Sequence, residues 1–280
     1  MRIAVLTLIR ASLIAALCVH DVAWAFTGPY HSKLTKDDET AQQRNDAARL
    51  WEQAIAAKGG RERLHAVRNM VISTRGEYNS RLLKRNQIRR EELLVFPNKY
   101  WFWDDYRPDV FGLRVSMYNY DSNMKYVISE GEPNQTPEPI AKGKRNKALR
   151  NDQLSFLLET QWLKPILIKA STGTIGLQRR VDIVETTIEG ERVDFAFDQS
   201  THLPVSVSYY DIVNGKPYIN VQSFSDYTEV DGVQLPRIIK FGDGSKYQAS
   251  FQINVEYNET IFINPPRIDA GPQAWRLKGI

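Results

Sequence analysis

Apolar and polar residues alternate most regularly between Tyr247 and Tyr257. Tyr247, Ala249, Phe251, Ile253, Val255 and Tyr257 hold one phase; Gln248, Ser250, Gln252, Asn254 and Glu256 hold the other. Side chains alternate across a strand with a period of two, so this run predicts a strand with one buried face and one wet face. Burying each large apolar side chain contributes roughly 1.5–3 kcal/mol, against the entropy lost in ordering it. The stretch from Val193 onward repeats the theme. Leu203-Pro204 and Leu235-Pro236 each open a short alternating run, and Asp, Gly and Asn turns lie between. One-sided antiparallel sheet is the reading.

Upstream, the pattern predicts a helix over 38–58, with Ala47, Ala48, Leu50, Trp51, Ala54 and Ile55 at helical spacing and Asp37, Asp38 and Glu39 complementing its dipole. Gly59-Gly60 stops it, and a short helix over 61–67 follows. Strands are expected over 70–76, 87–96 and 99–106, the last two joined at Pro97-Asn98, and then a hairpin over 113–120 and 124–129. In the strand from Lys99 to Tyr106, Trp101 and Trp103 share one side and Tyr100 and Phe102 the other. Such a strand is covered on both faces or shows aromatics to a ligand. Residues 131–145 read as a loop, because Pro133, Pro137 and Pro139 oppose regular pairing. A second amphipathic helix is expected over 151–164, capped by Asn151 and ended by Pro165, with Leu154, Leu157, Leu158, Gln161 and Trp162 on one stripe. That stripe should lie on the apolar face of the sheet. Strands resume at Ile175, and the tail from Asn264 is extended. The sum is an α+β chain of about ten or eleven strands and two or three helices, with residues 38–280 as a single domain.

The N-terminus reads as an export signal: Arg2 and Arg10, an apolar run from Ala11 to Val19, and Ala23-Trp24-Ala25 as a small-x-small cleavage site after Ala25. The run is shorter than the ~20 residues a membrane helix needs. Residues 26–37 read as a flexible leader. Cleavage would take the net charge from +4 to +3, because residues 1–25 carry Arg2, Arg10 and Asp21, and would remove Cys18. A mature chain without cysteine tolerates an oxidising compartment such as the periplasm and needs no disulfide at this size. Basic residues are dispersed apart from Lys142 to Lys147, which reads as a solvated loop, and no nucleic-acid motif is present.

Catalytic patterns are missing from the sequence. His31, His65 and His202 lie far apart, and no HExxH, cysteine pair, GxSxG, GxGxxG or P-loop occurs, so neither a metal nor a cofactor is expected. Gly242-Asp-Gly-Ser245 reads as a hairpin turn. Glu91-Glu92 and Asp104-Asp105 are adjacent carboxylates whose members point to opposite faces of a strand, although carboxylates from different strands can still meet. No titrating group is expected on the apolar side of the clearest strands.

Several segments together resemble a family. Ala56-Ala-Lys-Gly-Gly60 ends the first helix, Phe96-Pro-Asn-Lys99 forms a hairpin, and a Leu-Leu helix lies mid-chain. Asp198-x-x-Thr-x-Leu-Pro204 and Tyr227-x-x-Val-Asp-Gly-Val-x-Leu-Pro236 complete the set. Over about residues 45–265 the chain resembles the bacterial outer-membrane lipoprotein-sorting proteins, the LolA/LolB-like superfamily of periplasmic carriers. The resemblance implies a strongly curved antiparallel sheet, an incomplete β-barrel, with helices over its concave apolar face and acyl chains held between. It also implies a lipid or acylated protein as cargo, and partner proteins at the inner or outer membrane.

Three readings follow. The first is a non-enzymatic carrier with an apolar cavity lined by Trp101, Trp103, Leu154, Leu157, Leu158 and Trp162. The second is a structural or protein-binding β module whose apolar face is a dry core. The third is a hydrolase using carboxylates within the cavity. Of the two aromatic faces, Trp101 and Trp103 are preferred as cavity lining.

Overall fold

The computed structural model describes residues 41–78, 86–107, 111–131, 138–140, 147–176, 179–213 and 215–277. The expected signal and leader lie outside them. Helix α1 (Ala41–Ala57) buries Ala47, Leu50, Trp51, Ala54 and Ile55, the helically spaced positions of the sequence. It ends where the chain turns through Gly59 and Gly60, both with positive φ, and the Gly60 N–H returns to the Ile55 carbonyl at 2.9 Å. Helix α2 (Arg61–Ala66) leads into the sheet.

That sheet has thirteen strands: β1 (Asn69–Tyr78), β2 (Asn86–Val95), β3 (Lys99–Asp105), β4 (Leu113–Asn119), β5 (Met124–Ser129), β6 (Glu138–Pro139), β7 (Ile166–Ile175), β8 (Arg179–Ile188), β9 (Glu191–Asp198), β10 (Pro204–Val213), β11 (Lys216–Val230), β12 (Val233–Phe241) and β13 (Lys246–Ile253). Their order is β6-β5-β4-β3-β2-β1-β13-β12-β11-β10-β9-β8-β7, antiparallel throughout. The edges β6 and β7 do not pair, so the barrel is incomplete. Laid flat, thirteen strands would span about 58 Å at the usual ~4.8 Å spacing. Yet one continuous core runs from Met70 and Ile72 on β1, through Leu94 and Tyr100, to Val184 and Phe195 on β8 and β9. The three α-helices of the described residues cannot cover that width unless the sheet curls around them. The architecture is therefore a strongly curved antiparallel sheet with helices on its concave face.

Helix α3 (Lys147–Leu157) is the main cover of the central strands. Phe156 packs on Phe224 of β11 and Phe251 of β13, with ring centroids 6.3 and 5.2 Å apart. Trp51 of α1 sits edge-on to Phe195 of β9 at 5.1 Å. Both ends of α3 differ from the expectation. Asn151 lies inside the helix rather than capping it, and the helix stops at Leu157 rather than Pro165. Leu158 takes a left-handed φ of 64°, which ends the helical path, and the Thr160 hydroxyl then accepts the Leu163 N–H at 3.1 Å.

Other departures have equally local reasons. β7 begins at Ile166, nine residues before the expected strand, as an edge strand whose burial shows no clean alternation. Pro139 does enter a strand, but only a two-residue edge, where a missing N–H costs least. In β13, Ala249, Phe251 and Ile253 are buried and Gln248, Ser250 and Gln252 exposed, as the alternation requires. The alternation then breaks, because Asn254 adopts φ 52° and swings the chain behind the sheet. Val255 and Tyr257 consequently pack on the convex face. The tail is not merely extended. Two 3-10 turns, Glu259–Phe262 and Ile268–Ala270, lay Phe262 and Trp275 over Val71, Leu93 and Met117, building a second core on the convex side.

Candidate functional site

Three of the family-like segments, residues 56–60, 198–204 and 227–236, meet at one corner. A Cβ on Gly59 would lie 2.1 Å from the carbonyl oxygen of Gly232, so only glycine lets the end of α1 meet the β11–β12 turn. The Gln234 N–H donates to the Lys58 carbonyl at 2.9 Å. The Lys58 ammonium, fully buried, donates to the Gln234 carbonyl and lies 5.4 Å from the centre of the Tyr227 ring. Burial lowers its pKa to about 7. The Tyr227 hydroxyl of β11 donates to the Pro204 carbonyl at 2.7 Å, tying β11 to the first Leu-Pro strand, β10, while Tyr227 stands opposite Pro236 of the second, β12. Asp198 accepts the Ser200 and Thr201 N–H groups at 3.0 and 2.9 Å and pairs with Arg179. These residues hold helix and sheet together, and none of them lines the cavity beneath α3.

The cavity lies elsewhere, between α3 and strands β1, β2, β3, β11, β12 and β13, with a volume of about 300 Å³. Ile72, Phe156, Ile239 and Phe241 form its apolar wall. Its other end is charged: Arg90, Glu92 and Tyr100 face it from the sheet and Asp152 from the helix. Residues 90, 92, 100, 102 and 104 share the concave side, since Arg90 pairs with Asp104 and Glu92 with Phe102 across β2 and β3. The Arg90 guanidinium forks onto Asp104, with Nη2 3.0 Å from one carboxylate oxygen and Nε on the other. It reaches Glu92 only at 3.4 Å. Tyr100 donates to Glu92 at 2.6 Å and Tyr106 to Asp104 at 3.1 Å.

Burial raises the pKa of Glu92, with Asp104 adding to the effect and Arg90 and Tyr100 opposing it. Burial also raises Asp152 well above the carboxylate range, and the nearby Glu92 raises it further. Titrating groups therefore face the cavity from β2 and α3, outside the strands of clearest alternation for which none was expected. The reason is phase: Arg90 and Glu92 take inward positions of β2, with Ile72 and Phe102 beside Glu92 but Thr74 and Asp104 beside Arg90.

The residues expected to line a cavity separate into three places. Leu154, Leu157 and Leu158 are fully buried in the concave core, packed rather than facing the open volume. From α3 the cavity takes Ala148, Asp152 and Phe156, the adjoining stripe at four-residue spacing. Trp162 lies beyond the end of the helix, 41% exposed, with its ring 6.5 Å from that of Phe96. Trp101 and Trp103 correct the preferred face. They point to the convex side and are buried beneath the tail, where the Trp275 indole donates to Glu91 at 3.1 Å. Tyr100 and Phe102 point to the concave side, and Tyr100 reaches the cavity. Strand phase alone allows either assignment; the tail decided it. No cluster of metal-ligating side chains occurs among the described residues, and no helix among them is long and apolar enough to cross a membrane.

Compared by sequence, the chain matches no protein-family model and no curated protein. Compared by structure, it is similar to a LolA superfamily protein from Nitrosomonas europaea, at 13% identity and a TM-score of 0.48 over 77% of this chain and 96% of the other. It is similar to a putative outer membrane lipoprotein-sorting protein domain from Vibrio parahaemolyticus, at 10% identity and a TM-score of 0.41 over 78% and 97%. The MucA/MucB complex of Pseudomonas aeruginosa aligns at 8% identity and a TM-score of 0.22 over 75% and 94%.

Proposed function

We propose that this chain is a non-enzymatic binding protein that carries an acyl chain, or another apolar group, in the cavity between α3 and the sheet. The observation that carries the reading is the cavity itself, about 300 Å³ walled by Ile72, Phe156, Ile239 and Phe241 beneath one amphipathic helix. Small-molecule sites occupy roughly 300–1,000 Å³, so this one, at the small end of the range, suits a single chain or a small ligand. The lipoprotein-sorting motifs support a lipid or acylated protein as cargo, with membrane-associated partner proteins. Export to the periplasm after cleavage at Ala25 belongs to the same reading; N-terminal sequencing of the mature protein should begin at Phe26.

Binding is tested by titrating delipidated protein with a fluorescent acyl probe. Ala148 is exposed on α3 at the margin of the cavity, so Ala148→Trp fills the opening without disturbing the buried stripe. The variant should keep its circular dichroism spectrum and bind the probe at least about tenfold more weakly, a loss of about 1.4 kcal/mol. Failure of the delipidated wild type to bind any acyl probe would leave the dry-core module as the better reading.

A further inference from the structure

The polar end of the cavity has more negative than positive groups. Among the described residues two carboxylates, Glu92 and Asp152, face it beside one guanidinium, Arg90, and Arg90 is already forked onto Asp104. Glu92 keeps one strong neutral donor, the Tyr100 hydroxyl at 2.6 Å, and a long contact from Arg90 at 3.4 Å. Asp152 faces the cavity and receives no hydrogen bond from the described residues; what acts on it is burial, the Glu92 charge and the Arg90 charge. A charge removed from water needs a partner of opposite sign or a proton.

The apolar wall and the acidic end meet in one volume. Phe156 and Asp152 are four residues apart on the same face of α3, so a ligand lying along the helix meets both. Resting on the carrier reading above, we propose that the cavity selects amphiphiles with an amine head group. The ammonium sits between Glu92 and Asp152, and the hydrocarbon tail lies against Ile72, Phe156, Ile239 and Phe241. An ammonium offers up to three donors and favours the ionised form of both acids, and charge-assisted hydrogen bonds are about twice as strong as neutral ones. A carboxylate head group would find Arg90 already neutralised by Asp104 and would be repelled by the other two acids. An alcohol would gain neutral hydrogen bonds alone.

The test compares three probes with one tail: decylamine, decan-1-ol and decanoate, each below its micellar concentration, titrated calorimetrically into delipidated full-length protein at pH 7. Decylamine should bind at least about tenfold more tightly than decan-1-ol, and decanoate more weakly than either. Asp152→Asn, which keeps size and shape, should collapse the amine-to-alcohol ratio toward one. Glu229→Gln, which removes an equal charge from an exposed position on β11, should leave the ratio as in wild type. The wild-type ratio decides the matter even if Asp152→Asn does not fold. If the three probes bind alike, or decanoate binds best, the amine assignment is overturned and the carrier reading stands. If none binds, both fall.

Discussion

Glu159 offers the sharpest test of how the helices are held. Its carboxylate is fully buried just past the end of α3 and accepts from the Trp51 indole of α1 at 3.0 Å. It also accepts from Arg61 Nε at 2.6 Å, and His65 Nε2 lies 3.0 Å away, both on α2. One side chain thus joins α1 and α2 to the end of α3. Replacing it with alanine leaves the buried Trp51 N–H without a partner, at a cost of about 1–3 kcal/mol, and removes hydrogen bonds to charged groups worth about 1.5–3 kcal/mol each. Arg61 and His65 are about a third exposed, at 37% and 32%, so water recovers much of their share. The sum for Glu159→Ala is about 2–4 kcal/mol.

The effect depends on pH with a defined sign. Burial alone would raise the Glu159 pKa, but the hydrogen bonds from Arg61, Trp51 and His65 outweigh it and hold the carboxyl below its ordinary value. A group whose folded pKa is depressed contributes stability that is present above the unfolded pKa. That stability is lost as the pH falls through the folded one. Urea titrations of wild type and Glu159→Ala at pH 7 should therefore differ in midpoint by about 1 M, for an m-value near 3 kcal/mol/M. Below the ordinary glutamate pKa the gap should narrow. A midpoint difference at pH 7 within error of zero, or a gap that widens in acid, would refute the assignment of Glu159 as the charged link between helices.

Two further outcomes follow from backbone and phase. Phe251, 7% exposed, faces Phe156 across the concave core, so Phe251→Ala should cost about 3–5 kcal/mol in chemical denaturation, while Gln252→Ala on the wet face stays within about 0.5 kcal/mol. Gly59→Ala places a Cβ against the Gly232 carbonyl and should destabilise well beyond the roughly 1 kcal/mol expected of Gly60→Ala, whose added Cβ meets nothing within 4 Å. Equal melting-temperature shifts for the two glycine variants would contradict the close approach.

Helix α1, the hairpins and the buried phase of β13 could be read from the chain because each depends on neighbours within a few residues. Periodicity reports which side chains share a face, and glycine pairs report where a helix must stop. The same locality explains why β7 escaped notice, since an edge strand that is half-buried on both sides carries no alternation to read. The faces themselves were another matter. The alternation in Lys99 to Tyr106 put Trp101 with Trp103 and Tyr100 with Phe102, and strand phase is blind to which pair meets the helices. That was settled by the left-handed Asn254, which sends the tail behind the sheet and covers the tryptophans with Phe262 and Trp275. The candidate site was hidden for the same reason. Arg90 and Glu92 are two residues apart on β2, but Asp152 lies 60 residues further along the chain, and each alone reads as a solvated charge. Curling the sheet around α3 brings them to one cavity, Glu92 buried and Arg90 and Asp152 half-buried, because carboxylates from a strand and a helix share a cavity only after the sheet has closed over the helix.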